Sequence, residues 1–419
     1  MKRTWAALAV VVVAVAGCSN NNNGSSAENT PGVTDTSILV GTHMPLTGPA
    51  SAGYSKIAPA TKAYFDFVNA AGGVNGRKIT YKIMDDTYNP ATTQQVVREL
   101  VLQDKVFAIL NGLGTPTHTG VLEFLKTNRM PDLFVASGSR NWNKPEQYPG
   151  TFGFNTDYTV EGKILATYVK QTYAGQKVCF LGQDDDFGRD ALAGVEKILG
   201  KVAASQKYVT SNPNVGPQMG AFKQAGCQVV MLGTIPGFTA LSIGTSAKIG
   251  FKPKFVVFQV GADYGTVAKA LGAAAPLLNG IVSSNYLPLS NDDANPWIQL
   301  FKKVNTQYNG NAVFDNNIVY GMAVGYLFVQ ALQATGKDLT RENLIAAVEK
   351  GGFTGPGAAP LRFSKDDHSG YGGMQLARVT GTKQEYFGTP FQTDDGDGPV
   401  QPYQAPAAAP PQNGIPVAQ

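Results

Sequence analysis

Short apolar runs alternate with amphipathic segments from residue 37 to residue 285, and this rhythm constrains the fold more than any other feature. Residues 38–43 (ILVGTH) read as a strand. Residues 56–69 (KIAPATKAYFDFVN) carry Ile57, Ala60, Tyr64, Phe67 and Val68 at helical spacing. Further strands are expected at 77–84, 106–110, 132–136, 177–182, 208–210, 229–232, 255–258 and 280–284. Helices are expected at 92–103, 119–128, 161–172, 190–199, 219–225 and 239–249. Such a succession builds parallel sheets covered by helices on both faces. Two series of this kind predict an α/β chain of two doubly wound lobes. Ligands of such sheets lie beyond the carboxyl ends of the strands.

The two ends of the chain differ from this core. Lys2 and Arg3 precede an unbroken apolar run at 7–16 (ALAVVVVAVA), which is the length of a signal-peptide core and short for a bilayer span. Val15-Ala16-Gly17-Cys18 then resembles the lipobox of bacterial lipoproteins, in which the Cys thiol receives the lipid. The resemblance implies a signal peptide at 1–17, lipidation of Cys18 and a protein held outside the cytoplasmic membrane. An ordinary secretory signal with a chance Cys is the plainer alternative. Residues 18–36 are rich in Asn, Ser and Gly and read as a flexible tether. Residues 391–419 are rich in Pro and Ala and are expected to be a disordered tail. Roughly 350 residues remain between them, enough for two ordinary domains.

Charge and cysteines narrow the function further. The chain has 34 basic and 30 acidic residues, and no basic block that would suit nucleic acid. With Cys18 lipidated, Cys179 and Cys227 remain as one pair in an oxidising compartment. Each begins an apolar strand-like run, so neighbouring strands could join them in a disulfide. Two unpaired buried thiols are the other reading.

The strand ends supply the candidate site. After residues 106–110 comes Asn111-Gly-Leu-Gly-Thr-Pro-Thr-His118, and after 132–136 comes Ser137-Gly-Ser139. Thr115, Thr117, Ser137 and Ser139 form two hydroxyl-rich strand ends that could cradle a carboxylate, or could simply cap helices. Phe187, in Asp184-Asp-Asp-Phe-Gly188, could wall a pocket. Three consecutive acids there lack the spacing of a calcium loop and read as a solvated cap. Thr234 and Gln259 open two further strand-end loops. Chemistry is thinly represented: there are three His, no HExxH, no GxSxG and no metal-ligand spacing. The Gly112-Leu-Gly114 start of a dinucleotide fingerprint lacks its third Gly, where Thr117 stands. No cofactor and no metal is expected, and the chain does not read as an enzyme.

Several segments together resemble the branched-chain amino-acid type of ABC-transporter substrate-binding proteins, which share the type I periplasmic binding fold. The carriers are Pro45-Leu-Thr-Gly-Pro49, Asn69-Ala-Ala-Gly-Gly-Val-Asn-Gly-Arg-Lys78, Asp85-Asp86 with Asn89-Pro90, Gly112-Leu-Gly-Thr-Pro-Thr117, Phe134-Val-Ala-Ser-Gly-Ser139 and Asp184-Asp-Asp-Phe-Gly188. The resemblance implies two lobes joined by three crossovers that close by a hinge over a small ligand. Lobe 1 would hold residues 37–156 and 286–350, and lobe 2 residues 157–285 and 351–390. It places a ligand carboxylate on Ser139 with Thr115 or Thr117, an ammonium at the Ser137 carbonyl, and Phe187 where amino-acid binders carry Tyr. Tyr54 would wall the cleft, with Thr234 and Gln259 in the opposite lip. Amino-acid binders carry an acid at the position of Gln259 or Val260, and here the nearest acid is Asp263. An ammonium buried without a carboxylate is costly. The expected ligand is therefore a small organic acid, aromatic ones included, with a branched-chain amino acid as the alternative.

The implied partners are that ligand, ABC permease and ATPase subunits, and the membrane through the lipid anchor. A monomer that delivers ligand to the permease is expected. A ligand-sensing lipoprotein that signals to a membrane partner is the competing reading. A secreted α/β enzyme is disfavoured, since no nucleophile–base pair stands out.

Overall fold

The computed structural model of the protein describes Met1, residues 30–404 and residues 409–417. Residues 1–17 and Cys18 fall, apart from Met1, outside the described residues.

The first apolar run becomes β1 (Ser37–Met44), followed by β2 (Lys78–Asp85), β3 (Ala108–Leu110), β4 (Asp132–Val135) and β5 (Thr151–Gly153). These strands form one parallel sheet in the order β2-β1-β3-β4-β5. A second sheet holds β6 (Val178–Gln183), β7 (Ala204–Tyr208), β8 (Val229–Gly233), β9 (Lys254–Val257) and β10 (Val282–Asn285). It continues with β11 (Gly373–Thr380), β12 (Lys383–Gln392) and β13 (Gln401–Pro402), in the order β13-β12-β11-β10-β9-β8-β6-β7. The sheets sit in two lobes. The chain leaves the first after β5, returns after β10 to supply helices Pro296–Tyr308, Asn316–Thr335 and Arg341–Glu349, and crosses back to β11. Three crossovers result, as expected.

Helix Asn316–Thr335 is the core of lobe 1. It is apolar on nearly every face, and helix Ile57–Ala70 packs against it, with Phe65 5.8 Å from Phe328 and Tyr64 6.1 Å from Tyr326 between ring centres. Burying each such ring is worth about 1.5–3 kcal/mol. Polar residues set the helix starts. Asn89 accepts from the N–H groups of Ala91 and Thr92, and Asp157 from those of Thr159 and Val160. Each cap of this kind is worth about 1 kcal/mol.

The structure departs from the sequence expectation in four places. The strand expected at 208–210 lies at Ala204–Tyr208, an edge strand whose ASQKY sequence has no apolar run to mark it. The helix expected at 119–128 is split into Thr115–Thr119 and Leu122–Thr127. The second sheet is not wholly parallel, because β11, β12 and β13 add an antiparallel edge. The described parts of the segments expected to be free, residues 30–36, 391–404 and 409–417, are also anchored. In the tether, Gly32 accepts from the Leu39 N–H at 2.7 Å and Val33 is buried. In the tail, the buried Lys163 ammonium donates to Asp394 Oδ1 and to the carbonyls of Asp394, Gly396 and Gly398 at 2.8–3.0 Å. Further on, Tyr64 donates to the Gly414 carbonyl and Gln333 to that of Pro416. Composition alone misjudged the tail, because carbonyls that satisfy a buried ammonium need no apolar side chains.

Candidate ligand site between the lobes

The carboxyl ends of both sheets face one cavity between the lobes. Each strand end delivers its loop. The loop and helix after β1 bring Tyr54, and the turn after β2 brings Tyr88. The loop after β3 brings Leu113, Gly114 and Thr115, with Gly114 at φ 107°, a backbone angle that side-chain-bearing residues rarely adopt. From the second lobe come Phe187 after β6, Ile235 after β8, and Gln259, Val260, Ala262 and Asp263 after β9. Asn155, Tyr158 and Asn285 stand on the first two crossovers, so the hinge segments are themselves part of the wall.

Four of the eight residues singled out in the sequence line the cavity: Tyr54, Thr115, Phe187 and Gln259. Ser137 lies one layer behind, its hydroxyl 2.7 Å from that of Thr115. Three are turned elsewhere. Thr117 donates back to the Leu113 and Gly114 carbonyls of its own turn. Ser139 accepts from the Asn141 N–H and donates to Asp190 at 3.2 Å, which joins the lobes outside the cavity. Thr234 is buried against the Thr239 hydroxyl at 2.6 Å. For Ser139 the capping reading of a strand-end hydroxyl prevails, whereas Thr117 and Thr234 cap no helix and satisfy a backbone carbonyl and a neighbouring hydroxyl. Cys179 and Cys227 are joined as a disulfide in the second sheet, with Cα atoms 5.9 Å apart.

The lining is aromatic, hydroxylic and amide-rich. Phe187 packs on Tyr158 with ring centres 4.3 Å apart. Burial pushes the phenols of Tyr54, Tyr88, Tyr158 and Tyr320 above their ordinary value, so each is a neutral hydroxyl at physiological pH. Tyr320 donates to Asn155 at 2.7 Å, and Asn316 donates to Gln384, which in turn donates to the Ala262 carbonyl. No Lys, Arg or His side chain is among the lining residues. The one acid is Asp263, and it caps helix Tyr264–Leu271. Its Oδ2 accepts from the N–H and the hydroxyl of Thr266 at 2.8 and 2.6 Å, and its Oδ1 from the Asn316 N–H at 3.3 Å. Burial first, and then Asp315, pushes its carboxyl above the usual range. Behind the wall, Glu161 accepts from the Gln259 N–H at 2.6 Å and the Ser284 hydroxyl at 2.7 Å, and burial raises it to about 7.

Asn155, Tyr158, Tyr320 and Gln384 were missed in the sequence. Tyr320 lies in a helix so apolar that it reads as pure core. Gln384 lies on a strand that the parallel rhythm does not announce. Asn155 and Tyr158 could have been found by asking which residues a crossover must place at the cleft.

Comparison with known proteins agrees with this architecture. The family profile described as periplasmic binding protein matches residues 37–384. A Leu/Ile/Val-binding protein homolog 1 from Brucella suis is 24% identical over 336 residues, covering 75% of this chain and 83% of that protein. The crystal structure of a branched chain amino acid ABC transporter protein from Thermus thermophilus with bound valine superposes with a TM-score of 0.77 at 21% identity, over 87% of this chain and 98% of that one. A fatty acid ABC transporter substrate-binding protein from Thermomonospora curvata superposes with a TM-score of 0.78 at 20% identity, over 89% and 97%. The chain belongs to the periplasmic binding protein family.

Proposed function

We propose that this protein is the lipid-anchored, extracytoplasmic solute receptor of an ABC importer. It captures a small organic ligand between its lobes and hands it to the permease as a monomer, with no chemistry of its own. The Cys18 sequence supports the anchor, and the family and the inter-lobe cavity support ligand capture.

The ligand is a small carboxylate or amide with an apolar or aromatic body and no α-ammonium group. The observation that carries this is Asp263. The one acid in the wall already spends three of its roughly four acceptor sites on two N–H groups and a hydroxyl, and burial with Asp315 beside it disfavours its ionised form, which leaves it a poor partner for a ligand ammonium. The Thr115–Ser137 hydroxyl pair suits the polar end of such a ligand, and Phe187, Tyr158 and Tyr54 suit its body. Ser139 has no part in this reading, since its hydroxyl is spent on Asp190.

Thermal unfolding of residues 19–419 against a panel of amino acids, aliphatic acids, benzoate-type acids and short amides tests it. A ligand at about 100 times its dissociation constant adds about 2.7 kcal/mol, a shift of a few degrees. The expected shift occurs with members that lack an amino group. A shift confined to leucine, isoleucine or valine would overturn the ligand assignment.

A further inference from the structure

Beneath the cavity floor, four buried side chains form one line. Asp86 Oδ2 lies 2.7 Å from His43 Nδ1, His43 Nε2 lies 2.8 Å from His118 Nδ1, and His118 Nε2 lies 2.8 Å from Asp132 Oδ2. All four residues are fully buried. They come from four neighbouring segments: the end of β1, the turn after β2, the helix after β3 and the start of β4. Thr93 donates to Asp86 and Thr151 to Asp132, and Tyr88 donates its N–H to Asp86, so the outer carboxylates are held in place. The charged or titratable groups acting on His43 are Asp86, His118 and Asp132.

Counting protons gives the inference. Three consecutive contacts at 2.7–2.8 Å each need one hydrogen between the two heavy atoms. Two neutral imidazoles bring two. With both N–H groups facing the carboxylates, the nitrogens that face each other would meet lone pair to lone pair. We propose that His43 and His118 share a third ring proton between Asp86 and Asp132, and that this proton positions the Gly112–Thr115 segment of the cavity wall. Burial pushes the His43 imidazole below its ordinary range, and Asp86 and Asp132 pull against that shift.

The link to the cavity is steric and direct. A Cβ atom on Gly112 would stand 2.4 Å from His43 Nε2 and 2.6 Å from His118 Nδ1, so the loop lies flat on the histidine contact only because residue 112 is glycine. Leu113 donates its N–H to the His43 carbonyl and His118 donates its N–H to the Gly114 carbonyl. Leu113, Gly114 and Thr115 line the cavity. Losing the third proton would set the two ring nitrogens against each other under Gly112 and lift this wall.

The sign follows from the count. Above the ordinary imidazole value, about pH 6.5, the unfolded chain keeps two ring protons at these positions and the folded chain three. The folded state therefore binds the additional proton, and its contribution falls as pH rises, by about tenfold in the folding equilibrium per pH unit until the proton leaves.

Nitrogen-15 NMR of histidine-labelled protein tests the proposal without any ligand, so it stands or falls apart from the ligand assignment. At about pH 7.5, a unit above the ordinary value, three of the four ring nitrogens of His43 and His118 should carry protons. On raising the pH, the ring signals and the backbone amides of Gly112, Leu113 and Thr115 should titrate with one shared midpoint. Two neutral rings with one bare nitrogen each at about pH 7.5 would overturn the shared proton. Ring titration with stationary Gly112–Thr115 amides would overturn the positioning role.

Discussion

The phenol of Tyr54 donates a 2.6 Å hydrogen bond to the carbonyl oxygen of Val260, and so ties the first lobe to the second at the cavity wall. The two residues are 206 positions apart in the chain. The bond belongs to the closed arrangement, since hinge opening would separate its partners. Tyr54→Phe removes the donor and keeps the ring. The expected result is a loss of ligand affinity of about two- to twelvefold, from about 0.5–1.5 kcal/mol, with thermal stability of the unliganded protein nearly unchanged. Titration calorimetry of the variant beside the parent measures the affinity, and scanning calorimetry the stability.

Asp263 separates a capping role from a ligand-pairing role. Asparagine also caps helices, so Asp263→Asn should preserve helix Tyr264–Leu271 and cost under about 1 kcal/mol of stability. With no ammonium to pair, ligand affinity should stay within a few-fold. A loss of a hundredfold or more would mean that the carboxylate pairs with a ligand cation.

Glu161 and Asp157 should leave a signature in the pH dependence of stability. Burial raises each to about 7, from ordinary values of 4.5 and 3.8. Below their ordinary values both states hold these protons, and their contribution is fully present. Between there and about pH 7 only the folded state holds them, so stability falls as pH rises. Glu161→Gln keeps an oxygen for the Gln259 N–H and should make that decline shallower by about 1–3 kcal/mol. Urea unfolding at several pH values between about 4.5 and 7.5 measures the slope.

The Cys179–Cys227 disulfide closes a segment of 48 positions in the second lobe. Replacing both residues with alanine should cost about 2–4 kcal/mol. Ligand affinity should hold, because neither residue lines the cavity.

Lys163 places a buried ammonium among four oxygens of residues 394–398, while Asp394 itself is half exposed. Lys163→Met fits the buried stem but removes the ammonium from the Asp394 and Gly396 carbonyls, while Gly398 keeps the Thr393 hydroxyl. Faster amide exchange and proteolysis at residues 392–400 are expected, with a loss of about 1–3 kcal/mol.

Some of this was legible in the sequence. The two lobes and their parallel sheets followed from strand and helix periodicity, because a parallel α/β core repeats one pattern many times, whereas the three crossovers came from the family resemblance. Thr115, Phe187 and Gln259 followed from the rule that ligand sites lie beyond strand ends, and Tyr54 from the family resemblance; all four line the cavity. Thr117, Ser139 and Thr234 carry the same signal, yet their hydroxyls serve backbone or neighbouring groups, and only three-dimensional placement tells the two uses apart. Tyr320 and Gln384 were hidden for the opposite reason: one sits in an apolar helix and the other on an antiparallel edge strand. His43 and His118 are 75 positions apart, and nothing in the sequence announces that they touch.

The central claim is that the inter-lobe cavity binds a small ligand without an ammonium group. Isothermal titration of the parent protein with leucine and with 4-methylpentanoate, which differ only by that group, tests it most directly. Benzoate extends the comparison to an aromatic body. The expected result is saturable binding of an acid that lacks the amino group, with leucine weaker by tenfold or more. Tight binding of leucine with no response to either acid would contradict it.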